Sequence, residues 1–132
     1  PPAHRDGRAV ITVPLHAIAH ARTGDKGNRL NVAVIAHHAD VWEVLVEQVT
    51  EDRIAALFAH RRPSAVRRYL LPKLHALNLV IDDVLEGGVN AALNLDGHGK
   101  TLSFLVLTLP VTVSGGALAA VRATLDARAH RP

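Results

Sequence analysis

The densest group of chemically useful residues is the stretch HARTGDKGNRLN at positions 20 to 31. Gly24 and Gly27 allow backbone N–H groups to converge in conformations that other residues resist, which favours a concavity suited to an anion or a carboxylate. Charged and amide groups for such a site would come from Arg22, Asp25, Lys26, Asn28, Arg29 and Asn31. The same residue types also build turns in which side chains bond only their own backbone. A recognition site and an ordinary turn are therefore both open.

We favour the recognition site, because a connection that only reverses the chain needs about two to five residues and no cluster of cations. Polar groups are costly to bury without partners, so these side chains should face something that satisfies them. We expect Lys26 and the backbone from Gly24 to Asn28 to contact an anionic group of a ligand or a partner.

A second cluster lies in LPKLHALN at positions 71 to 78. We predict a helix here, so that His75 and Asn78, three residues apart, share its polar face. His75 could act as a general acid or base, although a lone histidine at a helix start is more often a capping or surface residue. Gly87 and Gly88 stop the predicted helix and are secondary candidates for ligand contact. The weak catalytic candidates of the chain are His20, Asp25 and His75.

Two further stretches resemble known functional motifs but lack the spacing or the structural context that those motifs need. GHGKT at 97 to 101 resembles the end of a P-loop, but the first glycine of that motif would fall on Asn94. HAIAH at 16 to 20 has the histidine spacing of a metalloprotease helix without its glutamate, and it lies on a strand pattern. The chain has no cysteine, which excludes thiolate catalysis and Cys-ligated metals. We therefore expect no bound transition metal and no cofactor.

Composition limits the class of protein. A length of 132 residues, with 48% hydrophobic and 20% charged residues, is typical of one folded domain. The lack of cysteine and of an N-terminal apolar signal region favours a cytoplasmic protein. The longest apolar run, at 101 to 113, is shorter than the roughly 20 residues that span a bilayer, so we expect no membrane segment.

The segment from Arg53 to Ile81 contains six basic residues and no acidic one. This excess could attract phosphate, an acidic partner or nucleic acid, or it could form an ordinary solvated surface. Nucleic acid is the weakest option and we expect none, because the chain has only four aromatic residues and no recognisable binding motif.

Residue periodicity predicts the elements that would position these groups. Strands are predicted at 9 to 19, 31 to 36 and 66 to 71. Asp40 and Glu43 have the spacing of a capping box, and Thr50 with Glu51 and Asp52 caps a second helical run, so two helices or one bent helix are expected. The clearest predicted helix covers 75 to 88, and a hairpin follows around Asp96 to Gly99. Long segments of each kind favour a two-layer α+β sandwich, with helices on one face of a mostly antiparallel sheet.

We divide the chain into an extension at 1–8, an α+β domain at 9–110 and a terminal helix or tail at 111–132, with the core ending near 110. Leu118, Val121 and Leu125 form one helical stripe in the last part. A small sheet covered on one face leaves the other face or an edge free, and the apolar run from 105 to 107 is unsuited to water. We therefore expect self-association.

Three stretches resemble successive signatures of the small C-terminal domain of AtuA-type acyclic terpene utilisation proteins: HARTGDKGNRLNVAVIA, VRRYLLPKLHALNLVIDDVLEGGV and LNLDGHGKTL. The similarity covers positions 15 to 109. It implies a ferredoxin-like fold and a role in breaking down acyclic terpenoid or other branched acids as acyl-CoA derivatives. The chain departs from the pattern at Leu79, where an aromatic residue is usual, and at Glu86, where a third glycine often stands.

The resemblance leaves two classes of function open. The first is a small stand-alone subunit that binds a large AtuA-like partner, and the second is an autonomous acyl-CoA-binding module or a lyase- or hydratase-like enzyme. We favour the subunit, because no motif combines a nucleophile, a base and an orienting group. Residues expected to bind an anionic ligand, such as acyl-CoA, or a partner are Arg22, Gly24, Asp25, Lys26, Gly27, Asn28, Asn31, Asn78, Gly87 and Gly88.

Overall fold

A computed structural model describes residues 9–84 and 98–130 of the chain. Within these ranges there are six strands and four helices, joined by short turns. In chain order they are β1 Val10–Pro14, β2 Ala19–Lys26, β3 Arg29–Ala36, α1 Trp42–Gln48, α2 Glu51–Leu57, β4 Ala65–Leu71, β5 Ala76–Asp82, α3 His98–Leu107, β6 Pro110–Ser114 and α4 Gly115–Ala129.

The strands form two antiparallel sheets. The larger sheet has four strands in the order β2-β3-β5-β4, and β1 pairs with β6 in a separate two-stranded sheet. One face of the larger sheet packs on the helices, which confirms the predicted α+β class. We call the opposite face the outer face; by register it includes Arg22, Gly24, Arg29, Asn31, Arg67, Tyr69, Asn78 and Asp82.

The core lies between the larger sheet and the helices and continues into the two-stranded sheet. Its sheet side is formed by alternate residues of β3 and β5, and its helix side includes Leu45, Ile54 and Val106. Val111 of β6 and Val121 of α4 are also buried in this cluster. The core therefore does not end near 110, because β6 and the predicted terminal helix contribute to it.

The predicted helix at 75 to 88 is wrong, because Ala76–Asp82 form strand β5 in the interior of the larger sheet. Leu77, Leu79 and Ile81 are fully buried and alternate with partly buried residues on the outer face. A short apolar run fits either period, and here backbone pairing with β3 and β4 on both sides selects the strand. Gly87 and Gly88 lie outside the described residues.

Positions 20 to 31, expected to be a loop, are mostly strand. β2 and β3 form a hairpin in which Lys26 pairs with Arg29, so that only Gly27 and Asn28 make the turn. Gly27 has a φ of +60°, which suits the first central position of a type II′ turn. The predicted strand at 9 to 19 is interrupted by a turn at Leu15–Ala17, where the chain passes from the smaller sheet to the larger one.

The region after position 98 also departs from the prediction. His98–Leu107 form helix α3 instead of the second strand of a hairpin, and the first half of that hairpin lies outside the described residues. Leu102 and Val106 of α3 are buried four residues apart, which is helical spacing. β-Branched and aromatic residues favoured a strand here, but packing of one helical face against the core outweighs this preference.

The helix caps agree with the sequence in one of two cases. The Thr50 hydroxyl accepts a hydrogen bond from the Arg53 N–H at 3.2 Å, which confirms the predicted cap of α2. Helix α1 begins at Trp42, after a short turn at Ala39–Val41, so Asp40 is not its cap.

Alanine substitutions at Leu79 and Val80 should distinguish strand β5 from the helix that the sequence predicted at the same positions. Leu79 is fully buried, so Leu79→Ala should lower the free energy of unfolding by about 2–5 kcal/mol. Val80→Ala, on the outer face, should cost about 1 kcal/mol or less. A helix would bury Val80 in place of Leu79 and reverse this ranking. Urea unfolding of both variants checks the prediction, and an equal or larger loss for Val80→Ala would contradict it.

Candidate functional site

Three charged side chains meet on the outer face, near the hairpin turn. Asp82 at the end of β5 accepts a hydrogen bond from Arg29 Nε at 2.6 Å through Oδ1, and one from Arg67 Nη2 at 2.5 Å through Oδ2. The hydrogen bond from Arg29 holds the pKa of Asp82 below its usual value, and the same bond raises the pKa of Arg29. Asp82 is therefore a carboxylate that holds two guanidinium groups beside each other.

Two amides lie next to this charged group. The Asn78 Nδ2 atom of β5 donates a hydrogen bond to the Asn31 Oδ1 atom of β3, at 3.1 Å. Asn31 is opposite Gly24 on one side and opposite Val80 on the other, so Asn31 and Asn78 are diagonal neighbours across the β3–β5 pair. Within the described ranges, the Asn31 amide N–H groups and the Asn78 carbonyl oxygen have no hydrogen-bond partner.

Arg29, Asn31 and Asp82 from these two groups border an open cleft with a volume of about 690 Å³. The residues around the cleft are Gly24, Asn28, Arg29, Asn31, Ser64, Asp82 and Asp83. A methyl group added at Gly24 would meet no atom within 4 Å, so there is free space above this part of β2. The Val84 N–H donates to the Asn28 carbonyl at 3.2 Å, which ties the hairpin turn to the segment after β5.

The structure brings several of the predicted site residues together. Arg22, Gly24, Asn31 and Asn78 share the outer face, and Asn28 lies at its end. Asp25 pairs with Leu30 and Lys26 with Arg29 at the end of the β2–β3 hairpin.

The three weak catalytic candidates, His20, Asp25 and His75, do not meet. His20 is near the start of β2, about 17 Å along the strand from Asp25. His75 lies before β5 in a left-handed conformation with φ of 49°, so it does not share a helix face with Asn78. His20 and His75 are both at the end of the sheet opposite the cleft.

Sequence reasoning missed three residues of this site: Ser64, Asp82 and Asp83. It noted Arg67 only as one of the six basic residues between Arg53 and Ile81. The helix predicted at 75 to 88 includes Asp82, so no strand pairing connected this residue with Arg29. The alternation of Leu77, Leu79 and Ile81 is the signal that could have placed Asp82 beside Asn78 on one strand face.

Histidines gather at the end of the sheet opposite the cleft. The rings of His20 and His37 are stacked with centroids 5.3 Å apart, and the Nδ1 atom of His37 is buried without a hydrogen-bond partner. Burial lowers the pKa of both histidines, and the nearby Arg128 guanidinium lowers it further. Among the residues that the structure describes, no group of three histidine or acidic side chains could hold a metal ion.

The fold and the site together define the class of this protein. It is a ferredoxin-like α+β domain with a cleft on the outer face of its larger sheet. The sequence profile of the AtuA ferredoxin-like domain matches residues 13–112, which is 100 of the 132 residues. The chain therefore belongs to the AtuA ferredoxin-like domain family, as the sequence motifs predicted. No curated protein and no solved structure is significantly similar to it. In the described ranges no helix is long and apolar enough to cross a membrane.

The stacked histidines should make stability depend on pH. Their pKa values in the folded protein are below the ordinary value of 6.5, so protons bind preferentially to the unfolded chain as the pH falls through this value. The free energy of unfolding should be highest near neutral pH and should decrease below about pH 6.5. His37→Phe keeps a ring in place without a titrating group and should reduce this decrease. Urea unfolding between about pH 7 and pH 5 measures it, and equal pH dependence in both proteins would contradict the assignment.

Proposed function

We propose that this chain is a small subunit of an AtuA-like catabolic system that acts on acyclic terpenoid or branched acyl-CoA compounds. In this proposal, the cleft recognises an anionic group of a ligand or of a large AtuA-like partner. Membership of the AtuA ferredoxin-like domain family supports the assignment to such a system. The chemistry of the outer face supports anion recognition.

The observation that carries the proposal is the paired arginines at Asp82. Arg29 uses its Nε atom and Arg67 uses one terminal nitrogen, so each guanidinium keeps further N–H donors without a partner among the described residues. Their side chains are 52% and 47% exposed. Because the guanidinium fork matches carboxylate and phosphate oxygens, two such groups side by side are suited to an anion.

The neighbouring groups extend the recognition surface. Asn31 offers amide N–H donors, and the free space above Gly24 admits a ligand close to the backbone of β2. Ser64 adds a hydroxyl that can donate or accept. Charged donors together with neutral ones favour a group with several oxygens, such as phosphate or carboxylate.

The cleft is better suited to binding than to catalysis. Asp82 is held as an anion by two arginines, so it is a poor proton donor near neutral pH. His20 and His75 lie at the other end of the sheet, and no histidine is among the described residues around the cleft. This arrangement favours a subunit that binds over an enzyme that works alone.

A second candidate function, an autonomous acyl-CoA-binding module, is favoured by an apolar groove at the far end of β4. Leu70, Leu71, Pro72, Lys73 and Leu74 line this groove, which has a volume of about 570 Å³. Leu71 and Arg67 share the outer face, about 13 Å apart along the strand. An acyl compound could therefore place its anionic head near Arg67 and its chain in the groove.

Removal of Arg29 should weaken anion binding without unfolding the protein. Loss of a charge-assisted hydrogen bond costs about 1.5–3 kcal/mol, so Arg29→Gln should raise the Kd for coenzyme A about 10- to 100-fold. Arg122 is exposed on α4, outside the cleft, so Arg122→Gln is the matched control and should bind like the wild type. Titration calorimetry with coenzyme A measures the affinities, and thermal unfolding checks the fold.

Two further measurements separate the candidate functions. Tagged wild-type chain purified from its native host should retain a large AtuA-like protein, and Arg29→Gln should retain less of it if the cleft binds that partner. Tighter binding of decanoyl-CoA than of coenzyme A, lost in Leu71→Ser, would instead favour the autonomous module. Coenzyme A binding that is equal in Arg29→Gln and Arg122→Gln, without a co-purified partner, would contradict the proposal.

A further inference from the structure

Strand β1 has one edge paired with β6, and its other edge is free among the residues that the structure describes. At one end of the pair the Gly115 N–H donates to the Ala9 carbonyl at 3.0 Å, and at the other end the Leu15 N–H donates to the Leu109 carbonyl at 2.8 Å. In an antiparallel pair the hydrogen-bonded residues alternate. The backbone groups of Ile11 and Val13 therefore also face β6, and those of Val10 and Thr12 face away from it.

The opposite edge of the same sheet confirms this alternation. Thr112, the register partner of Thr12, directs its N–H and carbonyl away from β1 and bonds both to the Gln48 side-chain amide, at 2.8 Å each. Arg53 Nη2 donates to the Pro110 carbonyl of the same strand at 2.6 Å. The β6 edge is therefore closed by two side chains from the helical layer.

An edge of the larger sheet is closed in a similar way. The Arg68 N–H of β4 donates to the Glu51 carboxylate of α2 at 3.1 Å, so an added strand could not pair along the whole of β4. Within the described ranges, no hydrogen bond reaches the outward backbone groups of Val10 and Thr12. An unpaired edge of this kind is a template for another strand.

The side chains of β1 suit pairing with an identical strand. The sequence VITVP has no charge, and Val10 and Ile11 are exposed large apolar residues at 41% and 39%. A two-fold axis at the central Thr12 places uncharged side chains opposite each other at every position. Like charges, which would oppose such pairing, are absent.

We propose that β1 pairs antiparallel with β1 of a second copy of this chain, about a two-fold axis at Thr12. Thr12 of each copy donates its N–H to the Thr12 carbonyl of the partner subunit, and Ile11 lies opposite Val13 of the partner subunit. The two small sheets join into one four-stranded sheet in the order β6-β1-β1-β6. Exposed apolar surface of Ile11 is covered on the core side of the new sheet. This interface is independent of the cleft.

Charge substitutions at position 12 test the two-fold axis directly. Wild-type protein should sediment as two chains of 14.1 kDa each. Thr12→Lys and Thr12→Asp each place like charges opposite each other and should raise the dimer Kd about tenfold, whereas an equimolar mixture of the two should form a mixed dimer. Thr12→Val keeps both the outward N–H and a β-branched side chain, so it should stay dimeric. Circular dichroism of each variant checks that it is folded.

Three outcomes would overturn the proposal. The first is a wild-type mass of 14.1 kDa at every protein concentration up to about 1 mM. The second is a folded Thr12→Lys variant whose dimer is as stable as that of the wild type. The third is a folded Thr12→Lys and Thr12→Asp pair that stays monomeric when mixed. Coenzyme A affinity should be the same in Thr12→Lys and wild type, which separates this interface from the cleft.

Discussion

The pairing of β3 with β5 is the contact on which the other features of this domain depend. Its register runs from Leu30 opposite Ile81 to Ile35 opposite Ala76, and it buries alternate leucines, valines and isoleucine against the helices. Because side chains alternate along a strand, the same register brings Asn31 beside Asn78 and Arg29 beside Asp82 on the outer face. A slip of one residue in this register would expose the core side chains, and it would also separate the polar groups from one another.

The charged group at Asp82 contributes less to the stability of the fold than the core does. Ion pairs of exposed arginines add little to stability, because water and salt screen them. Asp82 nevertheless accepts from both Arg29 and Arg67, and so reduces the repulsion between two guanidinium groups that lie close together. Folding alone does not require this convergence of charge. In the proposed recognition of an anion, the donors that Asp82 leaves unused are already oriented.

Polar side chains of the helical layer close two of the strand edges. Gln48 and Arg53 close the edge of β6, and Glu51 protects the middle of β4. Each of these contacts satisfies backbone groups that would otherwise be available to another chain. Within the described residues no helix side chain bonds to the free edge of β1, where Pro14 is the one position without an N–H donor, and the side chains of β1 are uncharged. Side chains from the helices therefore bond to the edges of β6 and β4 but not to the edge of β1 among the described residues.

The sequence by itself determined the α+β class, the family, strand β4, the Thr50 cap and the apolar stripe of the terminal helix. It also selected Arg22, Gly24, Asn28, Asn31 and Asn78 as candidate site residues, because their chemistry is visible without a fold. It misassigned β5 and α3, since a short apolar run fits both the helical and the strand period until neighbouring strands or helices pack on it. Only the tertiary structure assembled the cleft. Asp82 is 53 residues from Arg29 and 15 from Arg67, and local periodicity carries no information about contacts over such separations, which strand pairing across the sheet creates.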